Sequence, residues 1–426
     1  MMLVLRKARM SELCEITSSK RIFAADYVSE GVPFYRGKEI TEKYKGSLDV
    51  STELFITEEK FNEIERKFGA PRKGDLLLTS VGTLGSPYVV KPGERFYFKD
   101  GNLTWFRYFR ELDSKFLYYW LVSPQGKAEL QKCTIGSSQS AFTIVLLKGM
   151  EIELPSLSIQ QRIASILSAY DELIENNQRR IRILEEMARS LYREWFVHFR
   201  YPGHDSPRPQ AGEGLGVRAG FVDSPLGQIP QGWEVKKLRD VCNLTMGTSP
   251  KSEFYNEAGD GLPFHQGVTN FGARFPTDRL FCTVESRIAE AGDILFSVRA
   301  PVGRMNITDK KIIIGRGLSA IHHKAGHQAF LWEQLRAKFT EEDMMGNGAI
   351  FASVTKDDMQ GIELLCPTEQ FIKAATRYFK PLHAEIEVLI KQTANLCRTR
   401  DLLLPRLLSG QINVDATETL IEEAIA

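Results

Sequence analysis

At 426 residues the chain is too long for one core of ordinary size and asks for two to three domains. Its 43% hydrophobic and 26% charged residues are those of an ordinary soluble globular protein and exclude a disordered one. The formal net charge of +1 neither supports nor excludes nucleic acid, because phosphate binding needs only a local basic surface.

The six cysteines (Cys14, Cys133, Cys242, Cys282, Cys366, Cys397) are scattered without a CxxC pair, so they read as reduced thiols and not as a disulfide framework or zinc ribbon. The apolar start MMLVLRKARM is too short for a signal peptide, and no run approaches the roughly 18 apolar residues of a membrane helix. The expected location is the cytoplasm.

From the N-terminus, residues 1–155 alternate short apolar runs with turn signals. VPFYRGKEI spans Val32–Ile40, and KGDLLLTSVGTLG spans Lys73–Gly85, where Gly-Asp opens a buried strand after a turn. Phe116–Val122 reads as a short helix, and SSQSAFTIV follows at Ser137–Val145. Residues 156–200 then read as one long helix. Ile163, Tyr170, Asn177, Leu184 and Leu191 recur by seven, and Leu167, Ile174, Ile181, Ala188 and Trp195 fill the second seam position. Asn177 on such a seam would fix its register. Residues 201–229, rich in Pro and Gly and carrying Arg208 and Arg218, read as a linker with no packed core.

The plan then repeats. LPFHQGVTN at Leu262–Asn270 matches the first block, and AGDILFSVRAPVG at Ala291–Gly303 matches the second. NGAIFASVT at Asn347–Thr355 aligns with SSQSAFTIV, and the stretch from Pro367 aligns without a gap with that from Pro155. Four blocks in one order make an internal repeat. Residues 230–367 thus form a second globule, with a short helix at Phe330–Leu335. Residues 368–412 form a second long helix, and 413–426 a tail. Ala375, Leu382, Leu389, Leu396 and Leu403 line its seam together with Phe379, Ile386, Thr393, Arg400 and Leu407. Pro381 suggests that the helix begins afresh there, and Pro405 should kink or end it near Ser409-Gly410.

The fold class that follows is α/β (α+β): two globular domains separated by two long antiparallel coiled-coil helices, related by a pseudo-two-fold repeat. Pairing the helices buries both apolar stripes. A helix of about 40 residues is roughly 60 Å long and would act as a ruler. It would hold two globules apart by one or more turns of duplex DNA, about 34–36 Å each. The globules differ in sequence outside the shared blocks, which suits a split, non-palindromic target.

These blocks are specific enough to name a resemblance. PSLSIQQRIASIL at Pro155–Leu167, SPLGQIPQGWEVKKLRDVC at Ser224–Cys242 and DLLLPRLLSGQI at Asp401–Ile412 resemble framework segments of type I restriction–modification specificity subunits. NNQRRIRILEEMARSLYREWFVHF at Asn176–Phe199 is similar to their central spacer, and the likeness covers essentially the whole chain. It implies two target-recognition domains, each reading half of a bipartite sequence on double-stranded DNA. It also implies docking of methyltransferase (modification) subunits, two in number, and through them of two restriction/translocase subunits. S-adenosylmethionine, ATP and Mg would be used by those partners, and none by this chain. The Pro/Gly linker departs from the short central connection of the family.

The chain's own motifs agree with a non-catalytic role. No (N/D)PP(Y/F) tetrad, GxGxxG, GxxxxGK[ST] or HExxH occurs. His322, His323 and His327 lack companions at ligand spacing and read as surface residues, and Glu58-x-Lys60 after Asp49 only faintly resembles a nuclease site. Base reading needs Arg or Lys for guanine, Asn or Gln for adenine, and Ser or Thr as adaptable partners. The repeat places such residues at three corresponding spots. The first holds Tyr35, Arg36 and Lys38 against His265, Gln266 and Asn270. The second holds Ser80 and Thr83 against Arg299 and Arg304. The third holds Ser137, Ser138, Gln139 and Ser140 against Asn347. Each alone is also what an ordinary turn carries. Partner docking is expected from Trp195 and Phe196 and from Leu404 and Leu407 within Leu402–Leu408, although the same residues could simply close the coiled coil. The competing function is a scaffold whose globules bind proteins and not DNA.

Overall fold

The computed structural model describes residues 5–47, 50–136, 140–201, 220–339, 353–412 and 414. The chain divides into two units, Met1–Arg179 with Ile390–Ala426, and Arg180–Leu389. Each unit holds one globule together with part of each long helix.

The first unit carries two small sheets. One is antiparallel and runs Glu15–Thr17, Leu103–Arg107, Leu76–Thr79, Pro87–Val89. The other runs Tyr27–Val28, Phe55–Ile56, Val32–Tyr35, Tyr97–Phe98, its last pair parallel. The second unit repeats both. Cys242–Met246, Leu318–His323, Ile294–Ser297 and Met305–Ile307 form the antiparallel sheet. Tyr255–Asn256, Phe281–Cys282, Leu262–His265 and Ile312–Ile314 form the mixed one, extended by Ile288–Ala289. Each globule is closed by a two-stranded ribbon, Arg6–Arg9 with Glu151–Leu154 and Glu234–Lys237 with Glu363–Cys366.

The recurring Gly-Asp has a physical cause in both copies. Gly74 and Gly292 adopt positive φ, 88° and 90°, where a side chain is strained. The aspartate that follows then closes the turn. Asp75 accepts from Arg72 N–H (3.0 Å) and from Trp105 Nε1 (2.9 Å) on the neighbouring strand. Asp293 accepts from Glu290 N–H (2.9 Å) and meets His322 Nδ1 at 2.8 Å. The apolar strands that follow are completely buried.

The long helices are Leu157–Tyr192, continued by a π turn at Arg193–Val197, and Glu369–Leu408. In the first unit Ile163 and Leu167 share one core with Leu404, Leu407 and Leu408, and Asp171 meets Arg400, so the two helices run antiparallel. In the second, Arg180 pairs with Glu385 and Trp195 packs on Tyr378, again antiparallel. The seam residues Ile163, Asn177 and Leu389 are buried, and Tyr170, Leu184, Leu191, Leu382, Leu396 and Leu403 are half-buried.

Two expectations need correction. The second helix does not begin afresh at Pro381 but runs through it. Pro381 lies on an exposed face, as does Arg377, the residue one turn earlier whose carbonyl loses its helical partner. Pro405 lies near the end, and the helix stops at Leu408 with Gly410 at φ 71°. The linker is also shorter than expected. Phe221–Ser224 and Gly227–Pro230 form a hairpin whose Phe221 packs on Phe199 and whose Ile229 joins the aromatic core of Trp195, Phe196 and Trp233. Arg208 and Arg218 lie outside the described residues.

The same polar contact ties globule to helix in each unit. Asp171 and His383 stand at matching places beyond Pro155 and Pro367. Tyr119 Oη donates to Asp171 Oδ2 and Arg400 Nη1 to Asp171 Oδ1, each at 2.6 Å. In the other unit His383 Nε2 lies 2.7 Å from Glu333 Oε1.

The three histidines are not all surface residues. His322 is exposed, His323 half-buried, and His327 buried against Glu369 (2.9 Å). Burial, with His327 in ring contact at 5.0 Å, lowers the pKa of His323 to about 4. An imidazole whose folded pKa lies below its unfolded value contributes stability in full above pH ~6.5. That stability is lost as the pH falls toward about 4, because the unfolded chain takes up a proton that the folded chain refuses. Unfolding free energies measured across this window should fall less steeply in His323→Gln than in the parent, and parallel curves would refute the assignment.

Candidate nucleic-acid interface

In each unit the ends of the mixed and antiparallel sheets bring several loops together. In the first, Lys99 N–H donates to Tyr35 O (2.9 Å), Ser80 N–H to Asn102 O (2.8 Å) and Phe142 N–H to Ser80 O (3.0 Å). In the second, Gly315 N–H donates to His265 O (2.9 Å), Val298 N–H to Gly317 O (3.0 Å) and Val354 N–H to Val298 O (2.8 Å). The two sets of pins correspond one to one. Isolated bridges Val81–Ala141 and Arg299–Ser353 complete the match. The backbone platform is therefore duplicated while its side chains differ.

The pins correct one alignment. Thr143 caps the helix Ile144–Gly149 through Leu146 N–H, and Thr355 caps Lys356–Gly361 through Asp358 N–H. The equivalent pair is thus Thr143 and Thr355, two residues away from the pairing that the bare strings suggest. Helix capping sets that register, and the loop residues before it do not.

Three of the expected readers are interior. Tyr35 is buried and stacks on Phe96 at 4.6 Å. Ser80 is buried and shares a 2.7 Å hydrogen bond with Thr104 Oγ1. His265 is 1% exposed, with Nε2 3.1 Å from Asp278 Oδ1, and burial holds its pKa below the ordinary value. All three stand at or just beyond strand ends, on the side facing the core. Arg36 is half-buried and is occupied by Glu39, whose carboxylate also receives its backbone N–H in a capping box.

The remaining candidates present themselves to solvent. Lys38 and Thr83 are exposed in the first unit. In the second, Gln266, Arg299 and Arg304 are exposed and Asn270 is half-buried. Ser137, Ser138, Gln139 and Asn347 lie outside the described residues.

A fourth loop, unexpected from the sequence, lies in the middle of each platform: Lys99–Asn102 in the first unit and Gly315–Gly317 in the second. The available signal was an apolar strand followed within two residues by a basic residue and within three by a glycine, Phe98-Lys99-Asp100-Gly101 and Ile314-Gly315-Arg316-Gly317. Lys99 and Arg316 are exposed.

The docking residues also need correction. Phe196 is enclosed by Tyr192, Trp233 and Phe330. Leu404 and Leu407 are buried in the first unit's core against Ile163 and Leu167. Trp195 is mostly buried, and its remaining edge lines a groove of about 420 Å³ with Tyr201, Phe371, Arg377 and Tyr378. Closing the fold takes up Phe196, Leu404 and Leu407, and all of Trp195 but that edge.

Among the described residues no group of His, Cys, Asp and Glu could hold a metal ion, and no helix is long and apolar enough to cross a membrane.

Comparison with known proteins agrees with this architecture. The family described as type I restriction modification DNA specificity domain matches twice, at residues 6–186 and 230–394. A Methanocaldococcus jannaschii chain provisionally named the MjaX type I restriction enzyme specificity subunit is 31% identical over 281 residues, 65% of this chain and 63% of that one. The chain thus spans somewhat less than two thirds of that relative's length. The MjaIX specificity subunit of the same organism is 26% identical over 80% of this chain and 78% of its own. Among solved structures, the type I restriction–modification S subunit from M. genitalium matches with a TM-score of 0.61 at 18% identity, covering 95% of this chain and 96% of that one. Two copies of one recognition fold, each joined to its own part of a helix pair, and two family matches in the same order make this chain a member of the type I restriction–modification specificity subunit family.

Proposed function

We propose that the chain reads a bipartite, asymmetric DNA target, one half-site per unit, and lends that specificity to separate catalytic subunits. The observation that carries this reading is the duplicated loop platform. Identical backbone pins present Lys38, Thr83 and Lys99 in one unit and Gln266, Arg299, Arg304 and Arg316 in the other. A shared frame with different donors suits two different base sequences.

The chain itself acts as the non-catalytic partner. Methyltransferase subunits, two per complex, would supply S-adenosylmethionine-dependent adenine methylation. Restriction subunits recruited through them would supply ATP- and Mg-dependent translocation and cleavage. With Phe196, Leu404 and Leu407 buried, their docking falls to apolar side chains that the helices leave in solvent. Ile183 and Met187 on the first long helix, 54% and 53% exposed and one turn apart, form such a pair in the second unit.

Duplex binding measured across salt tests the reading. Affinity for a selected site should fall steeply between 50 and 200 mM salt, on the order of 10³-fold or more if six or more phosphates are contacted. Salt-insensitive binding, or equal affinity for all duplexes, would favour a protein-binding scaffold instead.

A further inference from the structure

We infer that Arg316 is a specificity-determining residue of the second unit, reading a guanine in the major groove of that unit's half-site; this rests on the proposed DNA-recognition function.

The loop is held by its backbone. Gly315 N–H donates to His265 O (2.9 Å), Gly317 N–H to Gln266 O (3.0 Å) and Leu318 N–H to Gly315 O (3.0 Å). Arg316 N–H itself donates to Ser249 Oγ (3.3 Å). Thr248 N–H donates to Ile314 O (3.0 Å) and Gly247 N–H to Leu318 O (2.9 Å). Backbone from three segments therefore converges on one residue.

Glycine makes that convergence possible. A Cβ on Gly247 would lie 2.1 Å from Gly315 O, one on Gly315 2.8 Å from Gln266 Cα, and one on Gly317 2.5 Å from Gln266 O. Such close packing is far more than a solvent-exposed turn requires. It fixes the Cα of Arg316 and leaves no side chain on either flank to obstruct an approaching base edge.

The charge environment points the same way. Elsewhere on this globule Lys310 is held by Asp278 (2.7 Å), Lys311 by Glu285 (3.1 Å) and Arg279 by Glu257 (3.9 Å). Arg316 is exposed and has no acid in ion-pair range among the described residues. A planar fork on a rigid mount matches the O6 and N7 acceptors of guanine, the commonest bidentate base contact. Gln266, exposed on the strand end to which the loop is pinned, supplies an adjacent amide. In the first unit the corresponding loop carries Lys99, and its Asp100 is bonded to Arg21 (2.9 Å), so that unit offers no fork there. The inferred guanine contact therefore belongs to one half-site alone.

The test uses the full-length chain and a randomised duplex library, with selected duplexes sequenced and affinities then measured for the best site and its single-base changes. In the parent one position of one half-site should require G. In Arg316→Ala discrimination at that position should drop about 10- to 100-fold while the other half-site is untouched. Arg316→Lys, which keeps the charge and loses the fork, should retain most affinity and the salt dependence yet still relax the same position. Uniform weakening of every duplex with a shallower salt slope would make Arg316 a phosphate contact and overturn the inference, leaving DNA reading intact. Unchanged selectivity in both variants would overturn it as well. A parent chain that selects no sequence would sink the proposed function, and this inference with it.

Discussion

Glu333→Ala is expected to destabilise the chain by about 3–5 kcal/mol. Glu333 is 2% exposed on the helix Gln328–Lys338, and its carboxylate meets His383 of the second long helix at 2.7 Å. Burial and the hydrogen bond act in opposite directions on His383, and burial prevails, holding its pKa below the ordinary value. Arg274, 3% exposed, lies with its guanidinium 5.0 Å from the Trp332 ring centre, within the field of the same carboxylate. Arg336 reaches Glu185 of the first long helix at 3.6 Å. Removing Glu333 leaves His383 without its partner and takes from the buried Arg274 the first of three carboxylates whose field acts on it, the others being Glu185 and Glu387. Glu333→Gln, which keeps the shape and removes the charge, should fall between. A double variant, Glu333→Leu with Arg274→Met, should recover much of the loss because the buried guanidinium is removed together with the carboxylate that acts on it. Urea unfolding midpoints at pH 7 measure all three, and a loss under 1 kcal/mol in Glu333→Ala would show that the cluster is not coupled.

The second large effect is expected on recognition. Arg299→Ala combined with Arg304→Ala should reduce affinity for the selected site on the order of 10²-fold, with the entire loss at one half-site. Both residues stand on the loop after the strand Ile294–Ser297, held by Ser297 N–H to Arg304 O (2.9 Å) and Gly303 N–H to Ser297 O (3.1 Å). The variant should leave the fold intact, because both side chains are exposed. Their contribution follows from the energy of groove contacts, about 1–3 kcal/mol each where bidentate and less where they meet phosphate. Footprints of the parent and variant on one duplex would locate the loss. Equal weakening of both halves would contradict separate reading by the two units.

Much of this was legible in the sequence because repetition is robust to detail. The blocks at Val32 and Leu262 and the two Gly-Asp turns are shared because strand pairing and turn closure need them, and the heptad positions are shared because two helices must bury a common stripe. The expectations that failed did so for local reasons. Tyr35, Ser80 and His265 are polar residues beside a variable loop, but at a strand end a shift of one position turns a side chain from solvent to core. Trp195 and Phe196 look like a surface anchor in a string of helix residues. They are interior because Trp233, Phe330 and the Phe221–Pro230 hairpin, distant in sequence, fold over them. Pro381 reads as a helix start only if its neighbours are ignored, since the helix runs on through an exposed position where the lost bond is not buried. The Arg316 loop was hidden by its length, three residues where the first copy has four, so the strings do not align although the pins do.

Separate reading of one half-site by each unit predicts that recognition can be exchanged one half at a time. The direct measurement replaces residues 1–155 by the corresponding segment of a relative with a different target and selects duplexes with the hybrid chain. One half of the selected motif should change and the other should remain that of the parent. A motif altered in both halves, or in neither, would contradict the account.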